Sequence, residues 1–195
     1  MEKSVGIIDT TLRDGHQCLW ATRMTTAHML PIAEKMDQAG FDQIDLAGTI
    51  QFDVCVRYLK EDPWERVRLM RERIKNTPLR SLVRSKNIAS FDFLPDDIIA
   101  LWVERLVANG FRVVGAFDGL NDVENMLATT RISKALGVHT FGALSYSLSP
   151  VHTDELYVET AKKLIASGTV DSIMLKDAGG LLTVDRIRTL VPALK

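Results

Sequence analysis

Cysteine is scarce in this sequence, which contains two cysteines among 195 residues. Cys18 and Cys55 lie far apart, and the chain has no Cys-x-x-Cys spacing. This arrangement argues against a disulfide framework and against a structural zinc knot, because both need closely grouped cysteines. We therefore expect a protein of the reducing cytoplasm.

Long hydrophobic runs and an excess of charge of one sign are also missing. The apolar run near the N-terminus is too short for a signal peptide, and no later stretch is long enough to span a bilayer. The 24 Lys and Arg residues nearly balance the 25 Asp and Glu residues, and no basic stripe alternates with aromatic residues. We expect no nucleic acid and no membrane insertion, which leaves a small molecule or another protein as the partner.

What is present is a regular alternation of strand-like and helix-like segments, which predicts an α/β fold with a parallel sheet in a single domain over residues 1–195. The six predicted strands are residues 4–9, 43–47, 79–84, 112–117, 139–146 and 171–176. Helical spacing of apolar residues occurs between them, for example at Met29, Ile32, Ala33 and Met36 and at Ile99, Trp102, Val103 and Leu106. A short extra helix is predicted over residues 51–61.

Six β/α units fit either an open doubly wound sheet or an incomplete barrel. A doubly wound nucleotide binder needs a glycine-rich turn after the first strand, but DTTLRDGHQ has one glycine there. A barrel instead places polar residues after the C-terminal end of every strand. The chain has such residues at Arg13, Asp14, Gln17, Arg84, Asp118, Ser145, Tyr146, Lys176 and Asp177. We therefore predict a (β/α)8 TIM-barrel fold of which this chain supplies six units.

Asp14 and Arg13 are the first candidate site residues. A carboxylate at the end of a strand is a hard oxygen ligand for a divalent cation, and an adjacent guanidinium can donate to an oxyanion. An Arg–Asp pair that only ties down a loop is an equally good interpretation of the spacing.

Lys176 ends an apolar strand, so its ammonium is expected to be partly desolvated and its pKa lowered. A neutral amine can form a carbamate with carbon dioxide, and a carbamate is a metal ligand; it can also form a Schiff base with a carbonyl substrate. An ion pair with Asp177 or Asp118 is the structural alternative.

Arg84 can hold a substrate carboxylate with two parallel hydrogen bonds, and its alternative is an ordinary surface arginine. The four histidines, His16, His28, His139 and His152, share no metal-ligand spacing, so we interpret them as loop or packing residues.

Five ordered blocks of the chain resemble one family. DTTLRDGHQCLWATRM, FDVCVRYLKEDPWERVRLMRERIKNTPL, FDGLNDVENM, LSYSLSPVHT and IMLKDAGGLLT are similar to the biotin-dependent carboxyltransferase domain of pyruvate carboxylase, the oxaloacetate decarboxylase alpha subunit and the keto-acid subunit of transcarboxylase. Related metal-dependent lyases share the Arg-Asp pair but as a rule not the Lys-Asp pair.

The resemblance implies a set of roles. Asp14 matches a metal ligand, and Lys176 matches a carbamylated lysine that binds the same zinc, manganese or cobalt ion. Arg13 and Gln17 match groups that hold pyruvate and its enolate, Arg84 matches the arginine that grips the substrate carboxylate, and Asp118 is a further substrate-binding candidate. The reaction implied is transfer of a carboxyl group between carboxybiotin and a 2-oxo acid. Biotin carboxyl carrier protein and biotin carboxylase are the implied partners.

The chain departs from the family pattern in two respects. The family's His-x-His metal ligands lie beyond the matched units, so we expect a longer protein, a homo-oligomer or a complementary chain to supply them. DLAGTIQFD (45–53) replaces the usual SWGGATFD, and Ser90-Phe91 replaces Gly-Tyr, which removes a hydroxyl near the keto acid. A biotin-independent metal-dependent aldolase or acyl lyase, and a non-catalytic truncated subunit, therefore stay open as alternatives.

Overall fold

The sheet is parallel throughout, and its strands follow one another in chain order. The computed structural model describes residues 5–89 and 91–195. Its strands are β1 (Ile8–Asp9), β2 (Gln43–Gly48), β3 (Leu79–Val83), β4 (Phe111–Phe117), β5 (His139–Ser145) and β6 (Ser172–Lys176), in the order β1-β2-β3-β4-β5-β6. A doubly wound sheet reverses its strand order, whereas sequential right-handed crossovers place every helix on one face. The prediction of a barrel-type α/β fold with six units is confirmed.

The described part of the chain contains eight α-helices, of which seven lie between strands and one follows β6. They are α1 (His16–Leu19), α2 (Thr26–Asp37), α3 (Thr49–Val54), α4 (Pro63–Arg73), α5 (Asp96–Ala108), α6 (Val123–Ala135), α7 (Asp154–Ala166) and α8 (Val184–Leu194). Two π-helical turns, Thr11–Gly15 and Cys55–Leu59, precede α1 and follow α3. The helix predicted over 51–61 is thus α3 together with the second π-helical turn. No helix among the described residues combines the length and the apolar character needed to cross a membrane.

The first strand is shorter than predicted. Of the predicted residues 4–9, only Ile8 and Asp9 pair with β2, and residue 4 lies outside the described range. Val5 and Ile7 are exposed, so burial does not hold this end of the apolar run against the sheet. The other five strands begin and end within one residue of their predicted bounds.

The outer face of the sheet, which the helices cover, holds the main apolar core. Ile44, Val114 and Leu144 alternate along their strands with residues of the opposite face and are completely buried. The predicted stripe on α5 contributes to this core, but Ile32 of α2 was wrongly included, because it is 43% exposed at the edge of its stripe.

The inner face, opposite the helices, combines a small apolar cluster with charged residues. Leu82, Val113, Phe141 and Ala143 form the cluster. The Arg80 guanidinium lies 3.8 Å from the Phe141 ring centroid. Gly115 makes room for this ring, because a Cβ there would lie 2.1 Å from the Phe141 Cζ. The inner face is therefore a packed floor below the C-terminal edge of the sheet.

Candidate active site

A pocket of about 170 Å³ opens at the C-terminal edge of the strands. Its lining comprises Arg13, Asp14, Gln17, Gly48, Thr49, Ile50, Gln51, Leu82, Arg84, Phe117, Lys176 and Ala178. Five of the six site residues predicted from the sequence are therefore brought together here. They come from the π-helical turn and α1 after β1, from the end of β3 and from the last residue of β6.

Arg13 is held by two carboxylates. Its Nε donates to the Asp45 Oδ2 over 2.9 Å, and its Nη1 lies 3.0 Å from the Asp14 Oδ1. The Asp45 side chain is 1% exposed, whereas that of Asp14 is 51% exposed. Arg13 and Asp14 thus form the pair that could tie down the loop. Asp14 is nevertheless accessible from the pocket.

Asp45, which contacts the pocket residue Arg13, was not selected by sequence reasoning. It lies inside β2 and begins the unusual DLAGTIQFD segment, but it was not chosen as a site candidate. A register shift follows it between Asp45 and Ala47. Burial raises the pKa of Asp45, while the positive charges of Arg13 and Arg80 act in the opposite direction. Burial likewise lowers the pKa of Arg80. An acid beside the buried Arg80 and the pocket-lining Arg13 thus lies next to the pocket.

Gln51 is the second residue that was missed, although the unusual DLAGTIQFD segment contained the signal. Its buried amide bridges the two segments that form the pocket wall. The Nε2 donates to the Arg13 carbonyl over 3.0 Å and to the Gln17 Oε1 over 3.1 Å, and the Oε1 accepts the Gly48 N–H over 2.8 Å. A Cβ at position 48 would lie 2.7 Å from the Leu82 carbonyl oxygen, so this close approach requires glycine.

Lys176 lies in the lining of the pocket. Among the described residues, no Asp or Glu lies within ion-pair distance of its Nζ, which lies 4.8 Å from the Phe117 ring centroid. The alternative of an ion pair with Asp177 or Asp118 is therefore wrong; Asp177 instead accepts backbone N–H groups of the following loop. Burial lowers the pKa of Lys176, as the sequence predicted, and the nearby positive charge of Arg13 lowers it further.

Arg84 lies between the pocket and a neighbouring cavity of about 140 Å³. Its backbone N–H donates to the Thr49 Oγ1, and its guanidinium lies 4.7 Å from the Phe91 ring centroid. Phe91 thus lies against the arginine proposed to grip the substrate. Ser90, the other half of the predicted Ser90-Phe91 difference, lies outside the described residues.

Asp118 is not among the residues that line the pocket. Phe117, the residue before it, does line the pocket. Because side chains alternate along a strand, the side chain of Asp118 is directed to the opposite face. Its carboxylate accepts the backbone N–H groups of Leu120 and Asp122 and the Nδ2 of Asn125, at 2.7, 3.0 and 2.6 Å. The structure therefore places Asp118 in the loop before α6, away from the groups that it was expected to join.

The described residues include no group of three or more His, Cys, Asp or Glu side chains that could hold a metal ion. His16 is buried, and neither ring nitrogen has a hydrogen-bond partner among the described residues. Burial, with the charges of Arg66 and Arg13, lowers the pKa of His16 to about 4. This agrees with its interpretation as a packing residue.

The sequence is closely similar to known carboxylase subunits. It is 49% identical over 191 residues to a pyruvate carboxylase subunit of Methanocaldococcus jannaschii, an alignment that covers 98% of this chain and 34% of the relative. The chain belongs to the carboxyltransferase-domain family. The carboxyltransferase domain of Rhizobium etli pyruvate carboxylase, solved with pyruvate and biocytin, has the same fold, with a TM-score of 0.95 and 33% identity over 99% of this chain and 34% of that one.

The chain is also similar to carboxyltransferase-family proteins whose names give substrates other than pyruvate. It is 38% identical to the 2-oxoglutarate carboxylase large subunit of Hydrogenobacter thermophilus, over 99% of this chain and 29% of the relative. It is 37% identical to the methylmalonyl-CoA carboxyltransferase 5S subunit of Propionibacterium freudenreichii, over 99% of this chain and 38% of the relative. The chain thus spans about a third of the length of these relatives. No protein-family model matches it.

Proposed function

We propose that this domain takes part in carboxyl transfer between carboxybiotin and a 2-oxo acid. The observation that carries the proposal is the convergence of Arg13, Asp14, Gln17, Arg84 and Lys176 on one pocket at the C-terminal edge of a barrel-type sheet. The similarity to carboxyltransferase domains supports it.

Different residues of the pocket would bind different groups of the substrate. Arg84 offers a planar pair of donors to the carboxylate of the 2-oxo acid. Arg13 and Gln17 donate to the keto oxygen, which becomes the negatively charged enolate oxygen when the C3 carbon loses a proton or a carboxyl group. Donors fixed before the reaction stabilise that charge without having to reorient. Asp118 is left with a role in shaping the loop before α6.

The donor set fits a divalent metal in part. Asp14 offers exposed carboxylate oxygens, and Lys176 offers a partly desolvated amine that forms no ion pair with the carboxylates of the described residues. The amine nitrogen would attack carbon dioxide and lose a proton to solvent, which leaves a carbamate with two further oxygens. A bound zinc, manganese or cobalt ion would act as a Lewis acid beside the substrate oxygen. The remaining ligands would come from residues outside the matched third of the relatives.

The proposed partners follow from the reaction. Biotin would be presented by a biotin carboxyl carrier protein and charged by a biotin carboxylase, either as separate subunits or as further domains, in the cytoplasm. The complete assembly is proposed to be a homo-oligomer or to include a complementary chain. The relatives named for pyruvate and for 2-oxoglutarate support a 2-oxo acid as the substrate class.

Oxaloacetate decarboxylation by the complete protein with its biotinylated carrier tests the proposal. We expect the activity to be lost with avidin, which sequesters biotin, and to be lost with a metal chelator. Activity that survives avidin but not the chelator would favour a biotin-independent aldolase or lyase. Absence of any turnover, with the protein folded and metal supplied, would favour a non-catalytic subunit.

A further inference from the structure

Gln51 has an amide whose orientation is decided by main-chain groups. Its Oε1 must face the Gly48 N–H, because an NH2 group there would oppose another donor. Its Nε2 must face the Arg13 carbonyl, because an oxygen there would oppose another acceptor. Both contacts agree on one orientation, and the side chain is only 2% exposed.

This orientation determines that of Gln17. The second hydrogen of the Gln51 Nε2 is donated to the Gln17 side chain, so the group that receives it must be the Gln17 Oε1. The Nε2 of Gln17 then points away from Gln51. The described residues provide no acceptor for it within hydrogen-bond distance, and Gln17 lines the pocket beside Arg13 and Lys176.

We infer that Gln51 is a positioning residue that commits the amide of Gln17 to donating into the pocket. The inference rests on the proposed function and deepens it, since the acceptor would be an anionic oxygen of the 2-oxo acid or its enolate. A glutamine free to rotate would present either its carbonyl oxygen or its NH2 group. Gln51 excludes the carbonyl, which would repel a negatively charged oxygen.

Two substitutions of Gln51 distinguish losing the hydrogen bond to Gln17 from reversing the orientation of the Gln17 amide. Gln51→Met removes the bond to Gln17, together with those to the Gly48 N–H and the Arg13 carbonyl, at nearly constant volume. Gln51→Glu keeps an acceptor for the Gly48 N–H but has no donor, so the NH2 group of Gln17 turns toward the new carboxylate. We expect kcat/KM for oxaloacetate to fall about 10-fold in Gln51→Met, because the Gln17 donor is no longer fixed toward the charged oxygen. We expect a fall of about 100-fold in Gln51→Glu, because the Gln17 carbonyl then faces that oxygen and repels it.

Oxamate provides a readout that a purely structural role would not change. It resembles the enolate of pyruvate, so its inhibition constant should rise in parallel with the loss of kcat/KM. The kcat should fall more than KM rises, because the charge on the substrate oxygen grows toward the enolate. Glu61→Gln is the matched control, since Glu61 pairs with the buried Arg66 outside the pocket, and its kinetic constants should equal those of the wild type.

A double variant tests whether Gln51 acts through Gln17. Gln17→Ala combined with Gln51→Met should be no slower than Gln17→Ala alone, within about 2-fold, because the two residues form one unit. Independent losses in the double variant would overturn the inference. Wild-type kinetics in Gln51→Glu would overturn it as well. Gln51→Glu keeps the acceptor for the Gly48 N–H, so it can still be measured if Gln51→Met fails to fold. A wild-type protein without avidin-sensitive decarboxylation would instead overturn the proposed function.

Discussion

The two faces of the sheet differ in their chemistry. The inner face carries charged residues from three strands, Asp45, Arg80 and Lys176, whereas the outer face carries apolar residues such as Ile44 and Leu144. Charges on the inner face lie beneath or beside a pocket, and apolar residues on the outer face are packed against helices. Because side chains alternate along a strand, adjacent residues of one strand can take part separately in the proposed chemistry and in stability.

Lys176→Ala should produce the largest effect on the inner face. We expect the avidin-sensitive activity to fall about 1000-fold, at the upper end of the loss seen when one group that stabilises a developing charge is removed. Metal content, measured by elemental analysis of the purified protein, should fall as well. Lys134→Ala is the control, because Lys134 forms its ion pair with Asp171 away from the pocket. An active Lys176→Ala variant with full metal content would contradict the proposed role of the lysine.

Asp45→Asn should weaken the hold on Arg13 while preserving the shape of the side chain. The loss in kcat/KM is expected to be about 10-fold to 100-fold, because a small displacement of a group that contacts the reacting atoms is enough to cause it. Steady-state kinetics with oxaloacetate would measure it. Asp37→Asn serves as the comparison, since Asp37 accepts the backbone N–H groups of Lys75, Asn76 and Thr77. If both variants lost activity equally, the loss could not be assigned to the contact between Asp45 and Arg13.

Leu144→Ala on the outer face should show the opposite behaviour. Removing a completely buried leucine side chain should lower the free energy of unfolding by about 2–5 kcal/mol. The kcat/KM per folded molecule should stay within about 2-fold of the wild type, a factor that corresponds to under about 0.5 kcal/mol of transition-state stabilisation. Urea titration and kinetics on the same preparation would test this. Lost activity at full stability would show that the outer face also determines the chemistry.

Asp118→Ala should have the smallest effect. The carboxylate binds two backbone N–H groups of its own loop, and losing such a capping interaction costs about 1 kcal/mol. We expect a slightly lower Tm and an unchanged KM for the 2-oxo acid. An increase in KM would return Asp118 to the substrate-binding residues.

Much of the fold could be predicted from the sequence, because apolar runs of strand length and helical spacing recur through the chain. Five strands agree with their predicted bounds to within one residue, whereas β1 is short because its first apolar residues are exposed. The pocket could be predicted because the ends of parallel strands meet at one edge of the sheet.

The site was predicted less completely than the fold. Asp45 was missed because a buried acid inside a strand gives no signal at a strand end. Gln51 was missed because its contacts with the Arg13 carbonyl and the Gln17 side chain join segments that are distant in sequence. Asp118 was included because a strand end was taken as sufficient. The alternation of side chains beyond Phe117 separates it from the pocket.

Gly115 restricts how this site could change during evolution. Any side chain at position 115 would overlap the Phe141 ring, on which the Arg80 guanidinium lies. A larger residue at 115 is therefore accessible only after position 141 has become smaller, and that first step would uncover a buried charge. The order of the two substitutions thus matters, and a variant with only one of them would lose the packing of the Phe141 ring between position 115 and Arg80. A change in the floor of the pocket requires a coordinated pair of mutations, whereas a change in its exposed rim requires one.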